Sequence, residues 1–191
     1  MKVIKSSSES ESCAKKVKNN GGVYLVPAFS GLGAPFWDMK ASGTIVGLTA
    51  GSGKNHIVRA ALESIAFQSN DVISAMNEDI RAFTNSELSG KTITTLRVDG
   101  GASANNLLMQ MQSDYSNIDV IRPASAEATA LGAAFLAGLG VGFYKDRNEL
   151  KMLSVSNGTQ FSPKISKEER EKHLFMWRKA IKACRAYSAE E

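Results

Sequence analysis

The chain has 191 residues, 43% hydrophobic and 22% charged, with a net charge of +4. This is enough apolar material for one globular domain with its own core, and the charge content is too ordinary for a disordered segment. The basic residues are scattered, apart from Lys15, Lys16 and Lys18 and those near the C-terminus, and no aromatic residues interleave with them. A nucleic-acid groove is therefore not expected.

Residues 1–20 are polar, with one weak helical stretch near Glu9 to Val17. Met1 opens them without the apolar centre of a secretory leader. Cys13 and Cys184 lack metal-ligand spacing and read as free thiols of a reducing cytoplasm. Four turn formers, Asn19 to Gly22, end this stretch. Val23 to Pro27 reads as a short buried strand, Ala28 to Lys40 as a loop rich in glycine and aromatics, and Thr44 to Leu48 as a second strand. A long helix is expected over residues 55–77, with Asn55 as N-cap, Ile57, Ala61, Ile65, Val72 and Met76 near one face, and Ala60 and Leu62 beside them. Glu78 to Gly90 is polar, a loop or helix end.

The β-branched run Thr92 to Val98 predicts a strand, followed by a helix from Asn105 to Gln112 and a strand at Asp119 to Arg122, ended by Pro123. Ala126 to Gly138 predicts a helix whose small residues would let it pack close to a sheet. Its apolar stretch, Ala128 to Val141, is too short and too rich in Gly and Ala for a membrane span. Residues 145–165 look irregular. The last helix, Lys167 to Tyr187, opens with Ser166 and Glu169 at capping-box spacing and carries the stripe Leu174, Trp177, Ile181 and Cys184. That stripe is either core or a partner surface. These elements imply an α/β domain with a mixed sheet flanked by helices.

The chemistry concentrates in Asp99-Gly-Gly-Ala-Ser-Ala-Asn-Asn106, between a strand and a helix. Glycine lets bare backbone N–H groups approach a phosphate or purine, and a helix N-terminus adds free donors and partial positive charge. Taken alone, the stretch could equally be a turn closed by Asp99. His56 and His173 have no ligand-forming neighbours in sequence, and His56 reads as a first-turn residue. Ser30-Gly31-Leu32-Gly33 lacks the context of a nucleophile elbow. Phe36 and Trp37 are either a binding platform or a loop packed down by its aromatics.

Several stretches in order resemble one family. Gly22 to Asp38 is similar to the segment opening the second lobe of glycerol kinases. Gly43-x-Ile45-x-Gly47-Leu48, seven residues, then His56-Ile57-x-x-Ala60-Ala61-Leu62-Glu63 resembles a signature of the carbohydrate kinases acting on glycerol, xylulose and gluconate. Leu96 to Asn106 and Thr129 to Ala134 complete the pattern. The resemblance implies a ribonuclease-H-like lobe of the actin-like ATPase fold. Residues 21–150 would be the C-terminal nucleotide-binding lobe, residues 1–20 a truncated start of it, and residues 151–191 an irregular segment and amphipathic helix of the same domain. It also implies ATP and Mg2+ as cofactors, and Gly101 and Asn105 as nucleotide contacts, with Gly100 shaping the turn. The family's phosphate-binding hairpin, glycerol contacts and catalytic Asp lie upstream, so no catalytic residue and no metal ligand is assigned in this chain.

The expected whole is a cytoplasmic homo-oligomeric glycerol kinase of which this chain is a piece, meeting glycerol through another lobe. A xylulose or gluconate kinase, a non-catalytic actin-like ATPase module and a stand-alone binding or assembly domain remain the alternatives. Ser162 to Arg170 replaces a segment that the best-known bacterial enzymes use to bind a sugar-transport regulator, and that regulation is not carried over.

Overall fold

Two small sheets are joined through helices: a long one packs on the first sheet and on a second helix, which lies against the other sheet. The computed structural model describes residues 3–82, 92–124, 128–154 and 158–189. Strands β1 (Tyr24–Val26) and β2 (Thr44–Val46) pair antiparallel, with Leu25 opposite Ile45. Strand β3 (Thr95–Arg97) runs parallel to β4 (Asp119–Arg122), and β5 (Thr159–Phe161) pairs antiparallel with β4, giving a mixed three-stranded sheet. The helices are α1 (Ser10–Ala14), α2 (Lys54–Ala82), α3 (Asn106–Ser116), α4 (Ala128–Gly140), α5 (Arg147–Ser154) and α6 (Lys167–Ser188). No described helix is long and apolar enough to cross a membrane.

Helix α2 packs chiefly against α3, α1 and β1. It begins one residue before the expected cap. Gly53 donates its N–H to His56 Nδ1 (3.1 Å) and its carbonyl accepts the His56 N–H (3.0 Å), so His56 supplies the side-chain half of a capping box in place of the usual acidic residue. Asn55 sits inside the first turn and is not the N-cap. The helix also runs on through residues 78–82, where a loop or helix end was expected.

The face that α2 buries is centred on the Ala60 and Leu62 side of the expected apolar face. Val58, Leu62, Ala66, Phe67 and Ile73 are in the core, whereas Ile65, Val72 and Met76 are exposed. The helix is apolar on two faces, and periodicity alone cannot choose between them. The choice follows from Phe67, whose ring stacks on Tyr115 of α3 (4.3 Å between centroids) and on Trp177 of α6 (5.2 Å), and lies 6.0 Å from Tyr24 of β1. One turn earlier, Glu63 is 1% exposed. It accepts from Asn20 Nδ2 (2.7 Å) and from Arg59 Nε (3.0 Å), and Arg59 Nη1 also donates to the Val17 carbonyl (3.2 Å). Burial still pushes the Glu63 carboxyl up, although Arg59 pulls it down. The network ties the Asn19–Gly22 turn to α2. Gly47 joins the same corner with φ +80; a Cβ there would lie 1.9 Å from the Gly22 carbonyl oxygen.

Helix α6 behaves as its stripe predicts: Trp177, Ile181 and Cys184 are buried, and Ser166 Oγ caps the Glu169 N–H (3.2 Å). In the glycine-rich loop Phe36 packs on the core, but Trp37 is 75% exposed. Residues 145–165 are more regular than expected, because α5 and β5 lie there. Helix α4 departs in the other direction. None of its described side chains is buried, so it does not pack on a sheet among the described residues; the Tyr144 ring comes over Gly138 instead.

Replacing Phe67 with Ala should cost about 3–5 kcal/mol, read as a lower urea midpoint at unchanged slope. A second expectation concerns Asp71, which accepts from Trp177 Nε1 (2.7 Å) and is pushed up to about 6 by burial, against the pull of that bond and of Arg178. The folded state thus binds more protons than the unfolded one between about pH 4 and 6, and this group's contribution to stability falls as pH rises through that window. Asp71→Asn should remove that component, so wild type minus variant stability, measured by urea unfolding at several pH values, should decline across it.

Candidate functional site

Strands β3 and β4 are parallel, so their C-terminal ends share one edge of the sheet, the usual place for a ligand crevice in α/β folds. The chain leaves β3 through Val98 and Asp99 and turns at Gly100, whose φ of +79 is one that side-chain-bearing residues rarely adopt. A single 3-10 turn, Gly101–Ala104, leads to α3. The first N–H groups of such a turn have no partner inside it. Gly100 and Gly101 are exposed, and a Cβ on either would meet nothing within 4 Å, so the backbone is open to a ligand.

The turn is held from both sides. Ser103, 5% exposed, donates its N–H (3.1 Å) and its Oγ–H (2.7 Å) to the Gly100 carbonyl. Arg122, the last residue of β4, donates from Nη1 to the Ser103 carbonyl (2.7 Å) and to Asn106 Oδ1 (2.9 Å), with its guanidinium 5.4 Å from the Phe161 ring centroid. On the other side, Asn105 caps α3: its Oδ1 accepts the Leu108 N–H (2.9 Å) and its Nδ2 donates to Ser10 Oγ (3.3 Å). The Asn106 N–H donates to Glu11 Oε2 (3.1 Å). A hydrogen bond from Lys15 leads the effects that hold the Glu11 carboxyl below its usual range, and the Asn106 backbone adds to it.

The turn separates two depressions. A cleft of about 620 Å³ is lined by Asp99, Gly100, Gly101, Asn106 and Arg122. An apolar groove of about 780 Å³ on the other side is lined by Gly101 and Asn105 with Val3, Ile57, Ala61 and Ile65. Gly101 belongs to both, Gly100 only to the cleft and Asn105 only to the groove. Arg122 and Asn106 were not singled out from sequence. The sequence placed Arg122 only at the end of a short strand before Pro123, which does not by itself point to a site. His56 and His173 are remote from each other in role: one caps α2, and the other is half-buried beside Tyr115, its pKa lowered by burial. Among the described residues no group of three or more His, Cys, Asp or Glu side chains could hold a metal ion.

The sequence profile of the FGGY family of carbohydrate kinases, C-terminal domain, matches residues 2–141. The chain belongs to this family. A glycerol kinase of Clostridium beijerinckii is 50% identical over 191 residues, which is 100% of this chain and 36% of that protein. The crystal structure of Plasmodium falciparum glycerol kinase with ADP is 36% identical and superposes with a TM-score of 0.83, over 96% of this chain and 35% of that one. A ligand-bound xylulose kinase from Lactobacillus acidophilus, 20% identical, shares the fold with a TM-score of 0.77, covering 100% of this chain and 37% of its own. The α/β architecture is therefore that of the carbohydrate kinases of the actin-like ATPase fold. This chain spans about a third of the length of the curated relatives it matches. The matched profile includes residues 2–20, which carry none of the motifs quoted above, and α1 in that stretch packs on α2 and α3.

Asn105→Ala removes the cap of α3 and should cost about 1 kcal/mol in urea unfolding of this chain. Asn105→Asp keeps the capping oxygen and should stay near wild type.

Proposed function

We propose that this chain is the C-terminal lobe of a longer ATP-dependent glycerol kinase, and that the turn Gly100–Asn105 forms the adenosine wall of its interlobe cleft. The observation that carries the reading is the 50% identity to glycerol kinases across all 191 residues, together with an open glycine turn at the shared edge of β3 and β4. In the complete enzyme the γ-phosphoryl of ATP would pass to a terminal hydroxyl of glycerol, giving ADP and glycerol 3-phosphate. Such transfer depends on positioning and charge neutralisation.

The groove offers an apolar surface for a purine face, with Gly101 letting the backbone approach. A carboxamide has two donor hydrogens and an acceptor oxygen with two lone pairs. Asn105 has committed one of each within the protein, which leaves one of each for a nucleoside. Mg2+ in phosphoryl-transfer sites is held largely by the substrate phosphates and water, with one or two carboxylates. Mg2+ would arrive on the ATP phosphates, where it neutralises charge. Glycerol would meet the other lobe, and lobe closure would exclude water. The reading also places the complete enzyme in the cytoplasm, as a homo-oligomer; the buried free thiols Cys13 and Cys184 suit a reducing compartment.

The test is an assay of the complete kinase with glycerol, xylulose and gluconate. Glycerol should give the highest kcat/KM, and a preference for either of the others would overturn the assignment. The 191-residue chain alone should turn over no glycerol. In the complete enzyme Asn105→Asp should raise the KM for ATP about tenfold, the loss of roughly one good hydrogen bond, while the KM for glycerol stays within twofold. An unchanged KM for ATP would remove Asn105 from the site.

A further inference from the structure

Arg122 lies outside every motif that carries the family resemblance, yet it holds the turn that the proposed site is built on. The reasoning starts from one peptide plane. The Gly100–Gly101 peptide is trans, the sole cis bond among the described residues being Ala34–Pro35. In a planar trans peptide the C=O and the N–H point in opposite directions. The Gly100 carbonyl is turned onto Ser103, which donates to it from both N–H and Oγ. The Gly101 N–H must then point the other way, out of the turn.

Nothing intrinsic to this stretch would keep it so. Gly100 at φ +79 has free access to other conformations, and an isolated 3-10 turn of four residues is weak. The fixed point is Ser103, and Ser103 is fixed through its own carbonyl by Arg122 Nη1 (2.7 Å). The same nitrogen reaches Asn106 Oδ1 (2.9 Å), so one guanidinium spans the turn from its third residue to the first residue of α3. Arg122 is itself placed by β4, which pairs on both sides, and by the Phe161 ring of β5 beneath the guanidinium.

We propose that Arg122 is a positioning residue for the nucleotide: through Ser103 it sets the Gly100–Gly101 peptide plane and aims the Gly101 N–H at the ligand. This rests on the assignment of the Gly100–Asn105 turn to the nucleotide. Both donated bonds end on neutral oxygens, so Arg122 acts through hydrogen-bond geometry at the turn. The sheet edge thereby sets the shape of a loop 19 residues away in sequence.

The experiment compares Arg122→Met and Arg122→Lys with wild type in the complete kinase, measuring KM for ATP, KM for glycerol and kcat, with thermal unfolding alongside. Arg122→Met should raise the KM for ATP about tenfold, as expected for the loss of roughly one well-placed hydrogen bond, with glycerol KM within twofold of wild type. Arg122→Lys, with one donor group able to reach either oxygen but no planar face for Phe161, should recover part of the ATP affinity. Arg122→Lys also carries the test if the Met variant does not fold. An ATP KM equal to wild type in a folded Arg122 variant would overturn the proposal, as would equal rises in both KM values. If Asn105→Asp raises the KM for ATP while the Arg122 variants do not, the positioning role alone fails. If neither does, the nucleotide assignment itself fails.

Discussion

The fold depends on the contacts of Phe67. Its ring stacks against Tyr115 and Trp177 and tilts against Tyr24, so one side chain of α2 touches α3, α6 and β1 together. Aromatic rings of this size bury much of the apolar surface of a small domain and prefer defined offsets, so the stack also sets the spacing of the elements. Glu63 lies one turn away on the same face. It takes hydrogen bonds from Asn20 and Arg59, which is the condition under which a carboxylate tolerates burial. Together the two residues decide which way α2 faces.

That orientation has a consequence for the site. With Phe67 turned inward, Ile57, Ala61 and Ile65 form the outer part of the apolar groove next to Asn105, and the buried Val58 and Leu62 form its floor. Helix α1 then closes the end of the groove. Ser10 accepts from Asn105, and Glu11 accepts from the N–H of Asn106, so the N-terminus of α3 meets a carboxylate whose charge suits the helix dipole. The first twenty residues, polar and weakly patterned, are thus part of the wall around the turn.

How far this was legible depends on the range of the interaction involved. The cap at Ser166, the stripe of α6 and the strand–glycine–helix order at Asp99 to Asn106 are local, and each reads directly from spacing. Which apolar row of α2 is buried was not legible because Ile57-Ala61-Ile65 and Val58-Leu62-Ala66 are both apolar, and only the contacts of Phe67 with Tyr115, Trp177 and Tyr24 separate them. Strand β5 has three residues and is defined by its pairing with β4, which no short window contains. Small residues in α4 permit close approach, but permission does not supply a partner. Arg122 illustrates the same limit within the site: its partners Ser103 and Asn106 lie on another element, and nothing in an Arg-Pro pair announces them.

The charges around the turn bear on which end of a nucleotide it suits. The residues lining the cleft and the groove include two carboxylates, Asp99 and Glu11, against one guanidinium, Arg122, whose Nη1 is engaged with neutral oxygens. A phosphate chain carries several negative charges and is bound by concentrated cations, metal ions or a run of converging N–H groups. This wall offers few of these: a short row of backbone donors, the carboxamides of Asn105 and Asn106, and an apolar floor. Such a surface is better matched to an uncharged nucleoside, with its flat purine and its hydroxyls, than to a triphosphate. On the proposed reading, the phosphates and their ion would be handled across the cleft. The demand on this lobe is then accuracy of placement, and a turn braced by α1 on one flank and by Arg122 on the other is suited to that.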